Sequence, residues 1–272
     1  TVGKTNQSRL KTVWQLRRNK YDVAFNLHGG TTATFFVRAS SAKHRVGFAN
    51  YQYSFLYNHL APPFQEFWQQ EKAHSAEQQL ALLGGVGIPV EDKPKSKLAI
   101  IEKSLVRSSK LPFALIHPVA AFATKQWSAE NFAEIAEFLV QKGFQIVAIG
   151  TKTDRKTLDK LRQSSQVPIQ CYDNLTLPQI TNLASRARIF VGNDSGIAHI
   201  AAAVQTPSVV IFGSSNRAHW SPWTDAPNEI VFEKFECQPC AGYVCEEFGE
   251  PRCILSVKTE SVIEAIERVL GK

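Results

Sequence analysis

The chain has 272 residues, 44% of them hydrophobic and 20% charged, enough to bury one large core or two ordinary ones, which excludes a disordered or fibrous protein. No apolar run approaches the ~20 residues that cross a bilayer, and the opening stretch TVGKTNQSRLKTVWQLRRNK is basic and lacks the apolar core of a signal peptide, so a cytoplasmic protein is expected. A net charge of +7 suits an anionic partner, but the cations are scattered rather than run together, and no nucleic-acid partner is expected.

In chain order, an amphipathic helix is predicted around Leu10 to Arg18, followed by a short strand, Tyr21 to Leu27, that ends at His28-Gly29-Gly30. A helix over Thr31 to Ala39 and a strand over His44 to Phe48 complete a βαβ pattern, the mark of a parallel sheet. Residues 51–68 are rich in aromatics and contain Pro62-Pro63; they read either as a loop and short helix packed on the sheet or as one wall of an acceptor site. Helical spacing from Glu71 to Leu83 stops at Gly84-Gly85. The composition then turns to Pro, Lys and Ser, which predicts a domain of residues 1–88, a linker over 89–110 and a second domain over 111–272.

The second half alternates regularly. Strands are predicted at Phe113 to His117, Phe144 to Ile149, Ile169 to Tyr172, Ile189 to Val191 and Ser208 to Phe212. Helices are predicted between them at Glu130 to Gln141, Arg155 to Arg162, Leu177 to Arg186 and Ile197 to Ala203, with a last one at Glu260 to Leu270. Near-continuously apolar strands separated by helices of this length indicate a doubly wound α/β sheet.

Three loops at the carboxyl ends of those strands hold residues suited to a sugar-linked diphosphate. In RIFVGNDSGIAHIAAA the strand runs through Asp194, Ser195 and Gly196 into a helix, whose first N–H groups favour phosphate; Gly196 allows close approach, and His199 shares a helix face with Ser195. The plainer alternative is an N-cap at Asp194 or Ser195 with His199 a packing residue. In HPVAAFATKQW, a loop of small residues delivers Lys125, placed either to neutralise a departing pyrophosphate or simply in solvent. In IVAIGTKTD, Asp154 follows a strand and suits either ribose hydroxyls or a helix cap. No G-x-G-x-x-G follows any strand, which argues against a dinucleotide oxidoreductase.

These same blocks resemble glycosyltransferase family 9, the ADP-heptose:lipopolysaccharide heptosyltransferases. GNDSGIAHIAAA resembles the family's D-S-G-x-x-H signature, HPVAAFATKQW its phosphate loop and IGTKTD its acidic ribose position, while YDVAFNLHGG, HRVGF, DNLTLPQITNLASRARIFVGND and CQPCAGYVC…RC extend the match over nearly the whole chain. The resemblance implies a GT-B architecture of two Rossmann-like parallel-sheet domains, the first incomplete here, and an inverting, metal-independent transfer of heptose from ADP-heptose to the lipopolysaccharide inner core. It implies that Lys125 stabilises the leaving group, that Asp154 binds ribose, that Leu175 lines the adenine pocket, and that Asp194, Ser195, Gly196 and His199 hold sugar and phosphates. Ala120, Ala121 and Thr124 belong to the phosphate loop. No cofactor is implied beyond the donor substrate; the acceptor is lipid A-Kdo or a heptosylated core, with peripheral contact at the inner membrane surface. The family's presumed general base sits in an amino-terminal Gly-Asp loop that has no match here. With no Met anywhere in the chain, this predicts a sequence that starts partway through its gene product. His28 is a weaker candidate base. If the base is absent from the whole protein, a non-catalytic nucleotide- or lipopolysaccharide-binding module is the alternative.

Cys237, Cys240, Cys245 and Cys253 form C-x2-C-x4-C-x7-C. The spacing leaves three readings open: a structural metal cluster, disulfides, or free thiols.

Overall fold

The computed structural model describes residues 6–101, 111–240 and 243–271. The chain separates into two compact units, Thr1–Pro94 and Lys95–Lys272, each built on its own sheet, and every strand pairing in both sheets is parallel. This is the α/β architecture of two parallel-sheet domains expected from the GT-B resemblance.

In the first unit, helix α1 (Asn6–Arg18) leads to strand β1 (Val23–Phe25), helix α2 (Thr31–Ala39) and strand β2 (His44–Phe48). Strand β3 (His59–Ala61), helix α3 (Phe64–Trp68) and helix α4 (Ser75–Gly84) follow, and the sheet order is β1-β2-β3. The aromatic segment contains the short helix expected there, α3, and a strand, β3, which the sequence pattern did not show. Tyr51, Phe64, Phe67 and Trp68 pack against a small core of Val46, Phe48, Ala61, Ala81 and Leu82, whereas Tyr53 and Phe55 are exposed. Helix α4 starts at Ser75, later than its periodicity suggests. The His74 ring accepts from the Ala76 N–H, and the Glu77 carboxylate accepts from the His74 N–H, which fixes the first turn there.

The expected linker behaves differently along its length. Residues 95–101 belong to the second unit: Ser96 N–H donates to the Trp223 carbonyl (3.2 Å), Leu98 N–H donates to the Ala203 carbonyl (3.0 Å), and the Lys95 ammonium sits 3.4 Å from the centre of the Trp223 ring. The remainder of that stretch, 102–110, lies outside the described residues.

The second unit runs β4 (Phe113–His117), α5 (Ala129–Gln141), β5 (Gln145–Ile149), α6 (Arg155–Ser164), β6 (Ile169–Tyr172), α7 (Leu177–Arg186), β7 (Ile189–Asn193) and α8 (Gly196–Ala203). It continues with β8 (Ser208–Phe212), α9 (Arg217–Trp220), β9 (Asn228–Phe232), α10 (Arg252–Leu255) and α11 (Thr259–Leu270). The sheet order β6-β5-β4-β7-β8-β9 is that of a doubly wound nucleotide-binding sheet, with its switch point between β4 and β7. Strand β9 was not read from the sequence.

One face of this sheet packs on α5, α6 and α11 through Phe132, Ile135, Leu139, Leu158, Leu161, Val262 and Ile266; the other packs on α7 and α8 through Ile180, Leu183, Ala198 and Ala201. Helix α5 begins where the Ser128 hydroxyl accepts from the Asn131 N–H, and α7 begins with a capping box between Thr176 and Gln179 and a Pro in the first turn. These caps hold the helices in register under the strands, so the loops at the carboxyl edge are set by packing on both faces.

Candidate functional site

At the switch point, where β4 and β7 end side by side, a cavity of about 510 Å³ opens. It is lined by Ala120, Ala121 and Lys125 after β4, Asp154 after β5, and Asp194, Ser195, Gly196 and His199 after β7, together with His117, Val119, Phe122, Thr151, Ile197 and Trp220. Separate sequence signals on three loops thus meet in one place. Of the residues read as a site, Thr124 and Leu175 do not line this cavity. Thr124 is buried under the loop, where its hydroxyl accepts from Ser214 Oγ (3.2 Å) and its carbonyl from the Ser214 N–H (3.2 Å). Leu175 packs against the core between the sheet and helices α7 and α8. Both are where apolar burial and hydrogen bonding place them, and both are support rather than lining.

Lys125 closes a 3-10 turn, Ala123–Lys125, and its ammonium lies 2.9 Å from Asp194 Oδ2. The same oxygen accepts from Ser215 Oγ at 2.5 Å. Lysine and aspartate are both well sheltered, with side chains 23% and 6% exposed, so the pair is screened less than one in open water. The Lys125 loop is anchored from both sides. The buried Asn193 side chain accepts the Trp127 N–H (3.0 Å), and Trp127, fully buried, donates its indole N–H to the Val257 carbonyl (2.9 Å). On the other side, Gly213 presses against the Thr124 carbonyl oxygen, which stands 2.2 Å from where a Cβ would be.

Ser195 occupies the N-cap position of α8, in extended backbone conformation, yet its hydroxyl caps nothing on its own helix. It lies instead 3.1 Å from His117 Nδ1. The Ala198 N–H donates to the Ser195 carbonyl (3.1 Å), so it is the Gly196 and Ile197 N–H groups at the start of α8 that the serine hydroxyl leaves to a ligand. At Gly196 there is open space where a side chain would begin. Asp154 Oδ2 accepts from the Thr151 N–H (2.8 Å) and the Thr151 hydroxyl (2.5 Å), closing a capping box on the 3-10 turn before α6, and the residue lines the cavity. Burial lowers the His117 imidazole to about 4, against the opposing pull of the Asp154 charge. Burial also lowers His199, with Asp194 pulling it back up and Lys125 pushing it further down. Both rings are thus kept neutral around a cavity whose cation is Lys125.

His117, Ser215 and Trp220 were not singled out from the sequence. His117 was visible as the polar end of an apolar strand, and Ser215 as part of the Gly-Ser-Ser that leaves the next strand at the same sheet edge. Trp220, whose ring centre stands 6.4 Å from that of His199, carried no local signal. His28, the weaker candidate base, is exposed in the first unit, where its backbone N–H donates to Asn26 Oδ1 (3.1 Å).

Cys237, Cys240 and Cys245 line a second cavity of about 270 Å³, and Cys253 is buried. Burial raises the Cys253 thiol above its ordinary value, with smaller contributions from Cys237 and Cys240. None of the four is disulfide-bonded, and among the described residues no three His, Cys, Asp or Glu side chains are placed to hold a metal ion. Cys237, Cys240 and Cys245 belong to the loop that follows β9. That loop is tied to the main cavity: the Cys240 N–H donates to the Ser214 carbonyl (3.1 Å), and the Tyr243 and Phe122 rings meet edge to face at 4.6 Å. Among the described residues no helix is long and apolar enough to cross a membrane.

Comparison with known proteins agrees with this geometry. The family model of glycosyltransferase family 9 (heptosyltransferase) matches residues 9–249. Lipopolysaccharide heptosyltransferase 3 of Escherichia coli strain K12 is 27% identical over 278 residues, an alignment that takes in 96% of this chain and 78% of the relative. The fold is that of E. coli ADP-heptose LPS heptosyltransferase II (TM-score 0.76, 21% identity, 96% of this chain and 80% of the other). It is equally that of a family 9 glycosyl transferase from Veillonella parvula DSM 2008 (TM-score 0.78, 18% identity, 98% and 80%). By the extent of the family match, this chain belongs to glycosyltransferase family 9, the heptosyltransferases.

Proposed function

We propose that this glycosyltransferase moves a heptose from ADP-heptose to the inner core of lipopolysaccharide, with inversion at the anomeric carbon and without a metal ion. The observation that carries the reading is the convergence, at the switch point of one sheet, of the Lys125 ammonium, the N-terminus of α8 and the Asp154 carboxylate. That set matches two parts of a nucleoside diphosphate sugar: a cation and backbone amides suit the diphosphate, and a carboxylate suits the ribose hydroxyls.

In the proposed reaction an acceptor hydroxyl gives its proton to the carboxylate that the family resemblance places in an amino-terminal Gly-Asp loop and attacks the anomeric carbon from the face opposite the diphosphate, and the bond to the ADP oxygen breaks. Charge grows on that oxygen, and Lys125 with the α8 amides near Ser195 and Gly196 stabilises it in a sheltered site. Asp194 holds Lys125 in place, the backbone after β4 at Ala120 and Ala121 borders the diphosphate, and His199 faces the sugar as a neutral ring. The relatives support donor and acceptor: one is an ADP-heptose LPS heptosyltransferase, another a lipopolysaccharide heptosyltransferase. Work at the cytoplasmic face of the inner membrane, through peripheral contact, follows from such an acceptor.

Titration calorimetry with ADP, UDP and GDP tests the donor: ADP binds most tightly, and a preference for UDP overturns the assignment. Turnover of ADP-heptose on defined core acceptors in the presence of a chelator tests the rest. Undiminished rate and an inverted anomeric signal are expected; loss of rate on chelation contradicts the metal-free reaction.

A further inference from the structure

We propose that His117 is a positioning residue for this site: its Nδ1–H donates to Ser195 Oγ and so turns the serine hydroxyl proton outward, toward an oxygen of the leaving diphosphate. The inference rests on the diphosphate reading of the cavity and goes beyond it by assigning a residue outside the family signature.

The argument starts from a serine that does not do what its position favours. At an N-cap, a serine oxygen ordinarily accepts from the second or third helical N–H. Ser195 has the extended backbone of an N-cap but makes no such bond, and its oxygen sits 3.1 Å from His117 Nδ1. A hydroxyl has one proton to give, and a phosphate oxygen accepts but does not donate. Were Ser195 to donate to a bare Nδ1, it would turn lone pairs toward the anion. Only with the proton on Nδ1 can the serine accept from the ring and donate to the ligand, so the bound diphosphate selects that tautomer and leaves Nε2 bare.

The ring suits this role. His117 ends β4, the strand beside the switch point, and is 8% exposed, with its main chain paired to Gly192 of β7. Burial, opposed by the Asp154 charge, keeps it neutral throughout the physiological range, so it has one proton to place. Its second effect is on α8: by engaging Ser195, it keeps the hydroxyl away from the first turn and leaves the Gly196 and Ile197 N–H groups to the ligand.

The test is a double-mutant cycle on the whole chain, read by ADP titration calorimetry. His117→Leu and Ser195→Ala are each expected to weaken ADP binding about tenfold, in the range of one hydrogen bond to a charged group. The double variant should lose no more than either alone, because both remove the same bond. His117→Asn, whose amide can stand where Nδ1 stands, should recover most of the affinity. A merely structural histidine would give losses that multiply to about a hundredfold and no rescue by Asn; either result overturns the proposal. Should His117→Leu fail to fold, nitrogen-15 NMR of histidine-labelled wild-type protein with ADP decides. A protonated Nδ1 and bare Nε2 are expected, and the opposite tautomer refutes the assignment. Wild-type protein that binds no nucleoside diphosphate at all overturns the site reading together with this one, whereas binding with multiplying losses sinks this one alone.

Discussion

The two sheets are made by the same rule and to different depths. In the second unit β7 and β8 are buried along their whole length, and helices cover both faces. In the first, β1 and β3 are three residues each and largely uncovered. Among the twelve largest fully buried side chains of the described residues, only Leu82 belongs to the first unit. Precision at a sheet edge therefore comes from what lies beneath it: loops leaving a strand packed on both faces have few ways to lie, and it is there that cation, carboxylate and helix amides converge.

The sharpest way to break that comparison is Trp127→Ala, which removes a fully buried ring and the anchor of the Lys125 loop. A loss of roughly 3–5 kcal/mol of unfolding free energy is expected in urea melts. Leu82→Ala in the smaller core tests the counterpart, with a cost at the lower end of about 2–5 kcal/mol if that core relaxes more easily. Next comes Lys125→Ala, expected to cut kcat about 10²- to 10³-fold, as removal of a leaving-group donor does, and to lower the melting temperature by leaving the buried Asp194 charge without its cation; an unaltered kcat would remove Lys125 from the chemistry. Gly213→Ala sets a methyl group against the Thr124 carbonyl and should cost about 1–3 kcal/mol by overpacking, with lysine-dependent turnover falling in the same assays.

The last effect is one of pH. An unfolded histidine titrates near 6.5, whereas folded His117 titrates at about 4. The unfolded chain thus takes up a proton first: the histidine has no effect on stability above pH 6.5, and stability falls as pH drops from there toward 4. The slope is at most about 1.4 kcal/mol per pH unit. Denaturation curves of wild type and His117→Asn between pH 4 and 7 should show that part of the slope vanish in the variant.

The second sheet was legible in the sequence for the reason that makes it rigid. Strands buried on both faces, such as FALIH and SVVIF, read as unbroken apolar runs bounded by polar loops, and their order then places the phosphate loop beside GNDSG. What escaped lies where this signal thins. Strand β9, NEIVF, is an edge strand with two polar residues, and β3, HLA, is short and mostly exposed. Thr124 was drawn into the site by proximity to Lys125, although its side chain turns the other way to meet Ser214. His117 and Ser215 were missed because their parts are contacts over 78 and 21 residues of sequence, which no local spacing records.

The tight seat of Gly213 beneath Thr124 has a further consequence for anyone reshaping the enzyme. Because the Lys125 loop rests there on main chain, the support beneath the cavity cannot be reshaped one side chain at a time without shifting the loop itself. Trp220, which lines the cavity, is 43% exposed, and its ring meets those of His199 and His219 edge to face. Donor selectivity can be retuned there, by shaving a ring from the mouth, without disturbing the lysine clamp.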